Sequence, residues 1–253
     1  MLQSYHLVKN NEKERFILSS QPLVITFDGP SGSGKGTLSQ CLARHLNWHL
    51  LDSGAIYRIV ALEVLNKKID LKNTQGLKDT ILNLKLDHRM NDAKTVQYFL
   101  NDKDVTDVIR SDICSETASR IAAIPAVREA LFAVQRGFLR KPGLIADGRD
   151  MGTVIFPEAI LKFYITASYE QRVMRRYNQL KLKGINVSLS RVQTELKDRD
   201  ERDVKRKISP LYQAKDAIEI DTTSQTIEDS FEYLMAHVLC ALKIFKGPLI
   251  KDD

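Results

Sequence analysis

Cysteine is scarce in this sequence: only Cys41, Cys114 and Cys240 occur among 253 residues. They are odd in number, far apart and without the spacing of metal ligands, so we expect neither a disulfide framework nor a zinc site. Scattered free thiols are typical of a reducing compartment. We therefore predict a cytoplasmic protein.

Long apolar runs are also missing. No stretch reaches the roughly 18 apolar residues of a membrane-spanning helix, and the nearest one, 231–245, contains Glu232, His237 and Lys243. Its apolar residues recur at helical spacing, which favours a packed helix over one that lies on a membrane surface. The first residues show no apolar segment typical of a signal peptide. We expect no membrane partner.

Neither sign of charge dominates. The 38 lysines and arginines are nearly matched by 32 aspartates and glutamates, which leaves a net charge of +6 and a pI of about 9.1. This excess suits anionic ligands such as nucleotides and would suit nucleic acid, but the sequence shows no recognised nucleic-acid-binding module. The length allows one α/β domain with insertions. We expect a monomer without a nucleic-acid partner.

Glycine, by contrast, is concentrated in one loop. The apolar segment 23–27 predicts a strand before it, and the apolar residues after it have helical spacing. Glycine lets backbone amides approach phosphate oxygens, and the helix adds the positive end of its dipole. We predict that the loop binds the phosphates of a nucleoside triphosphate and that its lysine reaches the β- and γ-phosphates. Its residues are Gly29, Pro30, Ser31, Gly32, Ser33, Gly34, Lys35, Gly36 and Thr37.

The end of this loop departs from the strict phosphate-loop pattern, in which serine or threonine directly follows the lysine. Here Gly36 takes that place and the hydroxyl arrives at Thr37. The departure leaves open whether Thr37 contacts Mg²⁺ directly or only through water or the phosphates. The alternative of a glycine-rich turn without a ligand leaves the combination of strand, lysine and helix unexplained.

Short apolar segments alternate with helical patterns along the rest of the chain. Besides 23–28, we predict strands at 49–52, 144–147, 160–165 and 217–221. Such alternation is typical of a parallel sheet with helices on both faces.

Three further features are predicted between and after these strands. Alternating apolar residues predict an insert with antiparallel strands over 68–115, with a turn at 90–93. One helix is predicted over 115–140. Capping-box patterns predict helix starts at Ser168 and Ser190.

Arginines cluster in three segments. Two of them, 52–58 and 148–152, follow predicted strands, where ligands of open parallel sheets bind. The third, 197–206, would place several arginines on one helix face, and arginines are suited to grip phosphates. Open alternatives are an Arg149–Asp150 pair in a surface turn, a helix cap at Ser53, and a solvated helix face with an Arg199–Asp203 pair.

Together these segments resemble the bacterial cytidylate kinases, a family of P-loop nucleoside monophosphate kinases. The resemblance runs from about residue 22 to 245, and its most specific motifs are Asp-Ser-Gly-Ala-Ile-Tyr-Arg at 52–58 and Ala-Asp-Gly-Arg-Asp-Met-Gly-Thr-Val at 146–154. It implies an α/β P-loop kinase with a five-stranded parallel sheet, a small CMP-binding insert and an arginine-rich lid. The reaction that it implies is phosphoryl transfer from ATP, with Mg²⁺, to CMP or dCMP.

The resemblance also implies roles for individual residues. The base would be bound by Ser119, Arg128 and Asp150, the ribose by Arg199 and Asp203, and the acceptor phosphate by Arg58, Arg149 and Arg206. We add Ser53 to the substrate-binding residues, and we expect Lys35, Arg58, Arg149 and Arg206 to be catalytic. No side chain is predicted as a direct metal ligand, and Asp147 either orients a water on Mg²⁺ or merely ends a strand.

The predicted organisation follows from these assignments. It comprises an amino-terminal extension 1–21, a core formed by 22–67 and 116–245, the insert 68–115, a lid 185–210 within the core and a tail 246–253. Three other functions are weighed: a kinase for UMP, AMP or a metabolite hydroxyl, a regulatory GTPase, and a nucleic-acid-binding protein. The segment 66–70 misses the spacing of a guanine-binding motif by one residue, which argues against the second.

Overall fold

The computed structural model describes residues 22–90 and 96–246. The predicted extension 1–21, most of the predicted turn at 90–93 and the tail from 247 onward lie outside the described residues. All three cysteines are described, and all are free thiols. Within the described ranges, no helix is long and apolar enough to cross a bilayer.

The core of the fold is a five-stranded parallel sheet, as the sequence predicts. Its strands are β1 (Leu23–Asp28), β2 (His49–Asp52), β6 (Gly143–Asp147), β7 (Leu161–Thr166) and β8 (Ile218–Asp221), in the order β2-β6-β1-β7-β8. Every neighbouring pair is parallel. The predicted strand boundaries differ from the observed ones by at most one residue at either end. The central position of β1 sets the glycine-rich loop at the middle of the sheet's carboxyl edge.

Helices cover both faces of the sheet. They are α1 (Lys35–Leu46), α2 (Ser53–Asn66), α3 (Thr74–Leu82), α4 (Asp112–Ile121), α5 (Pro125–Arg136), α6 (Tyr169–Leu182), α7 (Leu189–Lys205) and α8 (Ile227–Lys246). The side chains of β1 alternate between two cores. Val24 packs with residues of α2, α3 and α5, whereas Ile25 and Phe27 pack with residues of α1 and α8. A strand buried on both faces is the arrangement expected of a central parallel strand.

Two predictions about helix boundaries are wrong. The single helix expected over 115–140 is divided into α4 and α5, because Pro125 restricts the residue before it to extended backbone and Ile124 is extended (φ −85°, ψ 119°). Ser190 does not cap α7; the hydroxyl of Ser188 accepts the hydrogen bond from the Arg191 amide instead. The cap predicted at Ser168 is confirmed, since its hydroxyl accepts from the Gln171 amide.

The segment predicted as an insert contains the antiparallel strands expected of it. They are β3 (Leu86–Met90), β4 (Val96–Leu100) and β5 (Lys103–Asp104), paired in that order. The same segment also contributes α3, whose Leu77 and Ile81 are buried in the core with Val127 and Leu131 of α5. The domain boundaries themselves stay a prediction.

The predicted lid 185–210 contains α7, which packs against α6. Antiparallel packing of α6 and α7 buries a small apolar cluster of its own, formed by Val173, Leu180, Val187, Val192 and Leu196. The pair is attached to the sheet through the carboxyl end of β7. The lid itself stays a prediction.

Candidate active site

The glycine-rich loop follows β1, and its last three residues form the start of α1. Gly29 has a φ of 144°, and a Cβ built there would lie 2.1 Å from the carbonyl oxygen of Ile165. Only glycine therefore fits where the loop leaves the sheet. Gly34 of the loop lies directly before the amino terminus of α1, where backbone amides are available to an anion.

The departure at Gly36 has a steric reason. A Cβ at this position would lie 3.2 Å from Oδ2 of Asp147, which ends β6. Glycine thus lets the Asp147 carboxyl approach the first turn of α1. Burial raises the pKa of Asp147 to about 6, although the Lys35 ammonium lowers it. Among the described residues, its Oδ1 has no hydrogen-bond partner.

Lys35 is buried within the loop that it belongs to. Its ammonium donates a hydrogen bond to the carbonyl of Pro30 at 3.0 Å. Burial lowers the pKa of Lys35 to about 7, and Arg149 lowers it further while Asp147 opposes the change. A nucleotide phosphate at this position would restore the positive charge.

Side chains from distant elements hold the outside of the loop. The Thr222 hydroxyl, just after β8, lies 2.8 Å from the Ser33 carbonyl and 3.0 Å from that of Thr166. Arg172 of α6 donates to the Ser31 carbonyl at 3.1 Å and to Asp200 of α7 at 2.6 Å. The loop conformation is therefore tied both to the last strand and to the helical pair.

Two adjoining cavities lie along the carboxyl edge of the sheet. The loop cleft, with a volume of about 710 Å³, is lined by Ser31, Gly32, Gly34, Lys35, Gly36 and Thr37 together with residues after β8. The arginine pocket contains every predicted substrate-binding residue, namely Ser53, Arg58, Ser119, Arg128, Arg149, Asp150, Arg199, Asp203 and Arg206. Of the loop residues, Gly29, Pro30 and Ser33 do not line the cleft. The two cavities share three arginines and two glycines, namely Arg58, Arg149, Arg199, Gly54 and Gly148.

One wall of the arginine pocket is a buried ion pair. Arg128 of α5 donates from Nη2 to Oδ2 of Asp150, and both side chains are buried. The guanidinium of Arg128 also lies 5.7 Å from the centre of the Tyr57 ring. The pair presents a hydrogen-bond donor and an acceptor side by side in a region of low dielectric constant.

The opposite wall connects the loop after β6 to α7. Arg149 donates from Nε to Asp203 Oδ2 at 2.8 Å, and Nη1 of Arg206 lies 3.6 Å from Oδ1 of the same carboxylate. Although burial raises the pKa of Asp203, Arg149, Arg199 and Arg206 hold it below its ordinary value. The alternatives of an Arg149–Asp150 pair and an Arg199–Asp203 pair are therefore wrong for the described residues.

The third arginine segment also differs from its predicted geometry. The helix ends at Lys205, so Arg206 is extended (φ −64°, ψ 140°) rather than on the helical face, and Arg202 donates to the Asp198 carbonyl outside the pocket. The alternative of a helix cap at Ser53 is likewise wrong. Asp52 accepts from the Ala55 amide at 2.9 Å, and the Ser53 hydroxyl donates to Gln135 at 2.7 Å.

The pocket holds more positive charge than its acids balance. Burial, Arg149 and Arg58 lower the pKa of Arg199 to about 9, and the pKa of Arg206 is also lowered, mainly by burial. Several buried polar atoms have no hydrogen-bond partner within the described part of the chain: Tyr57 Oη, Ser119 Oγ, Arg128 Nε and Arg206 Nη2. Unpaired buried groups are costly, so the pocket is suited to an anionic ligand with polar edges.

Sequence reasoning missed some residues that shape this site. Tyr57 lies inside the motif 52–58 but is not among the predicted site residues, although its ring lines the pocket. Gln135 orients Ser53 from a helix 82 positions away. Asp28 accepts hydrogen bonds from the Met151 and Gly152 amides, and Arg172 donates one to the Ser31 carbonyl. No local pattern in the sequence marks Gln135 or Arg172.

The fold and the site define a P-loop nucleotide-binding protein with a second anion pocket beside the phosphate loop. Residues 25–239 match the family model described as Cytidylate kinase. The relative called Cytidylate kinase in Shewanella sp. (strain W3-18-1) is 50% identical over 224 residues, which cover 87% of this chain and 96% of the relative. The one in Shewanella denitrificans (strain OS217) is 49% identical over 228 residues, with 89% and 100% coverage. The chain belongs to the cytidylate kinase family.

Proposed function

We propose that the protein transfers the γ-phosphoryl group of ATP to CMP or dCMP, giving ADP and CDP or dCDP. The observation that carries this proposal is the junction of the two cavities at Arg58, Arg149 and Arg199. A donor in the loop cleft and an acceptor in the arginine pocket would bring their phosphates together there. Phosphoryl transfer depends chiefly on such alignment and on charge neutralisation.

The donor is proposed to be bound by the loop amides and Lys35. The ammonium that now donates to the Pro30 carbonyl would turn to the β- and γ-phosphates, which are stronger acceptors. The oxygens of Thr37 and Asp147 fit Mg²⁺, which prefers few carboxylates together with substrate phosphates. The unpartnered Oδ1 of Asp147 supports this fit. Bound with ATP, Mg²⁺ would neutralise charge on the phosphates.

The acceptor phosphate is proposed to be gripped by Arg58 and Arg149. This phosphate is ionised at neutral pH and is itself the nucleophile, so no general base is required. Arg206 follows directly on α7, and it would contribute charge when the helical pair covers the site. Such closure would also exclude water as a competing acceptor.

Cytosine is the base that the buried pair of Arg128 and Asp150 suits best. The carboxylate can accept from the exocyclic amine, and the guanidinium and the Ser119 hydroxyl can donate to ring acceptors. Uracil would set a carbonyl oxygen against Asp150. An unpaired buried group costs about 1–3 kcal/mol, which corresponds to roughly 5- to 150-fold in discrimination.

Further parts of the proposal concern the organisation of the enzyme. Residues 68–115 are proposed as the CMP-binding insert and 185–210 as the lid, and the ribose is proposed to contact Arg199 and Asp203. The enzyme is proposed to act as a cytoplasmic monomer without nucleic-acid or membrane partners. Sedimentation equilibrium of the purified protein tests the oligomeric state.

A coupled assay of ADP release tests the proposed reaction. MgATP is supplied with CMP, dCMP, UMP, AMP or GMP in turn. Turnover with CMP and dCMP well above the other acceptors is the expected result. A preference for UMP or AMP would support a kinase but refute the proposed selection of cytosine by Arg128 and Asp150. The absence of turnover with every acceptor would refute the proposed reaction.

A further inference from the structure

Asp28 has a buried carboxyl group that lines neither of the two cavities. It is the last residue of β1, directly before Gly29, and only 5% of it is exposed. Its Oδ1 accepts from the Met151 amide and its Oδ2 from the Gly152 amide, both at 2.8 Å. Both carboxylate oxygens are therefore used by the loop that follows β6.

The two amides belong to the start of a π-helical turn, Met151–Ile155. The first amides of any helical turn need acceptors from outside it. Asp150 occupies the position from which a side chain normally caps such a turn, yet it makes no capping hydrogen bond. Its carboxylate pairs with Arg128 in the arginine pocket instead. Asp28 thus satisfies the amides that Asp150 leaves unpaired.

We propose that Asp28 is a positioning residue for the acceptor site: it caps the turn after β6 in place of Asp150 and so holds Asp150 and Arg149 in the arginine pocket. This inference rests on the proposed function. It predicts that selectivity for the base depends on a side chain that does not contact the base.

The surrounding contacts support this role. The Gly148 amide donates to the Phe27 carbonyl at 2.9 Å, so the end of β1 holds the loop at its first residue as well. The space around the turn is also full, since a Cβ at Gly152 would lie 2.7 Å from the Thr26 hydroxyl. The turn therefore has little room to settle elsewhere while Asp28 is present.

A carboxylate is required at this position by geometry. Asparagine has the same shape but offers a single acceptor oxygen, and its NH₂ group would face an amide N–H. Burial raises the pKa of Asp28 to about 7, whereas the hydrogen bonds from the Gly152 and Met151 amides lower it, because both bonds favour the ionised form. Asp28→Asn therefore disturbs the hydrogen bonds to the Met151 and Gly152 amides while keeping the shape of the side chain.

The test compares Asp28→Asn with wild type by steady-state kinetics for CMP, UMP and ATP. We expect the KM for CMP to rise at least about ten-fold and the CMP-over-UMP ratio of kcat/KM to fall at least about ten-fold, while the KM for ATP changes less than about three-fold. In an Asp150→Asn background, Asp28→Asn should lower the ratio little further, because both act through one carboxylate. An unchanged ratio in a folded Asp28→Asn protein would overturn the inference.

Thr26→Val provides the matched control. Thr26 lies on the same strand and the same face, is fully buried, and its hydroxyl has no partner in the ranges that the structure describes. We expect this variant to keep the wild-type ratio. Loss of the ratio in both variants would indicate general damage to the strand and would contradict a specific role of Asp28.

A second measurement applies if Asp28→Asn does not fold. Hydrogen exchange of the wild-type protein without nucleotides should show strong protection of the Met151 and Gly152 amides, because Asp28 holds them before substrate binds. Fast exchange at both amides would overturn the inference. Wild-type turnover with CMP is measured separately, so failure of the proposed reaction is distinguishable from failure of the role of Asp28.

Discussion

Replacement of Asp150 by asparagine is the sharpest test of how this site selects its base. The variant keeps the shape of the side chain but replaces an acceptor by an amide that also donates. Cytosine would lose the acceptor for its amine, and uracil would gain a donor for its carbonyl. We expect the CMP-over-UMP ratio of kcat/KM to fall roughly 5- to 150-fold, since the mismatch is worth about 1–3 kcal/mol.

The substitution also has a calculable effect on stability. Arg128 would keep its hydrogen bond to the Ala122 carbonyl, at 3.2 Å, but would lose its buried counter-charge. Breaking a buried pair typically costs about 3–5 kcal/mol, and the retained amide oxygen should bring the loss to the lower end. Urea unfolding measures this loss.

Asp203→Asn is the matched control for this prediction. Asp203 is also a buried carboxylate paired with an arginine, but it contacts Arg149 and Arg206 on the opposite wall. We expect this variant to lower kcat/KM for CMP and UMP alike. If Asp150→Asn lowered both in parallel as well, with an unchanged ratio, the assignment of Asp150 to the base would be refuted.

Three further predictions follow from the loop and the pocket. Gly29→Ala should lower the free energy of unfolding by more than about 3 kcal/mol and abolish ATP binding, because its Cβ would meet the Ile165 carbonyl at 2.1 Å. Urea unfolding measures the loss, and wild-type stability would contradict the steric argument. Gln135→Leu should lower the free energy of unfolding by about 1–3 kcal/mol and raise the KM for CMP more than that for ATP, because it leaves the Ser53 hydroxyl unpaired. An unchanged KM for CMP would contradict a role of Ser53 in binding the substrate. Burial lowers the pKa of Lys35 to about 7, so the Lys35 amine of the nucleotide-free protein is largely neutral at pH 8. Bound phosphates favour the charged amine, so binding of MgATP should be accompanied by uptake of close to one proton at pH 8 and of little at pH 6. Calorimetry in buffers of different ionisation enthalpy measures that uptake, and equal uptake at both pH values would contradict the lowered pKa.

The parts of this structure that sequence reasoning could reach are those encoded locally. The strand 23–28, the glycine-rich loop and α1 follow one another without a gap, and each carries its own pattern of apolar spacing or glycine. Motif resemblance supplied the residues of the arginine pocket, because the motifs include them. The division at Pro125 was readable in principle, since proline restricts the residue before it.

The pairing of side chains could not be reached in this way. Arg149 meets Asp203 across 54 positions of the chain, and Asp28 meets Gly152 across 124. Each of these residues also has a plausible local partner, such as Asp150 for Arg149. Which carboxylate pairs with Arg149 depends on the direction of the loop after β6. That direction is set by tertiary contacts rather than by neighbouring residues.

The bond between Thr222 and Ser33 has a consequence for the synthesis of this chain. It joins the phosphate loop to a residue 189 positions later, and β1 lies between β6 and β7, which are made much later than β1 itself. Contacts of such long range form slowly and only when both partners are available. A ribosome-bound chain that ends before β8 therefore lacks part of the scaffold of its phosphate loop. Competence to bind ATP should arise only near the end of translation.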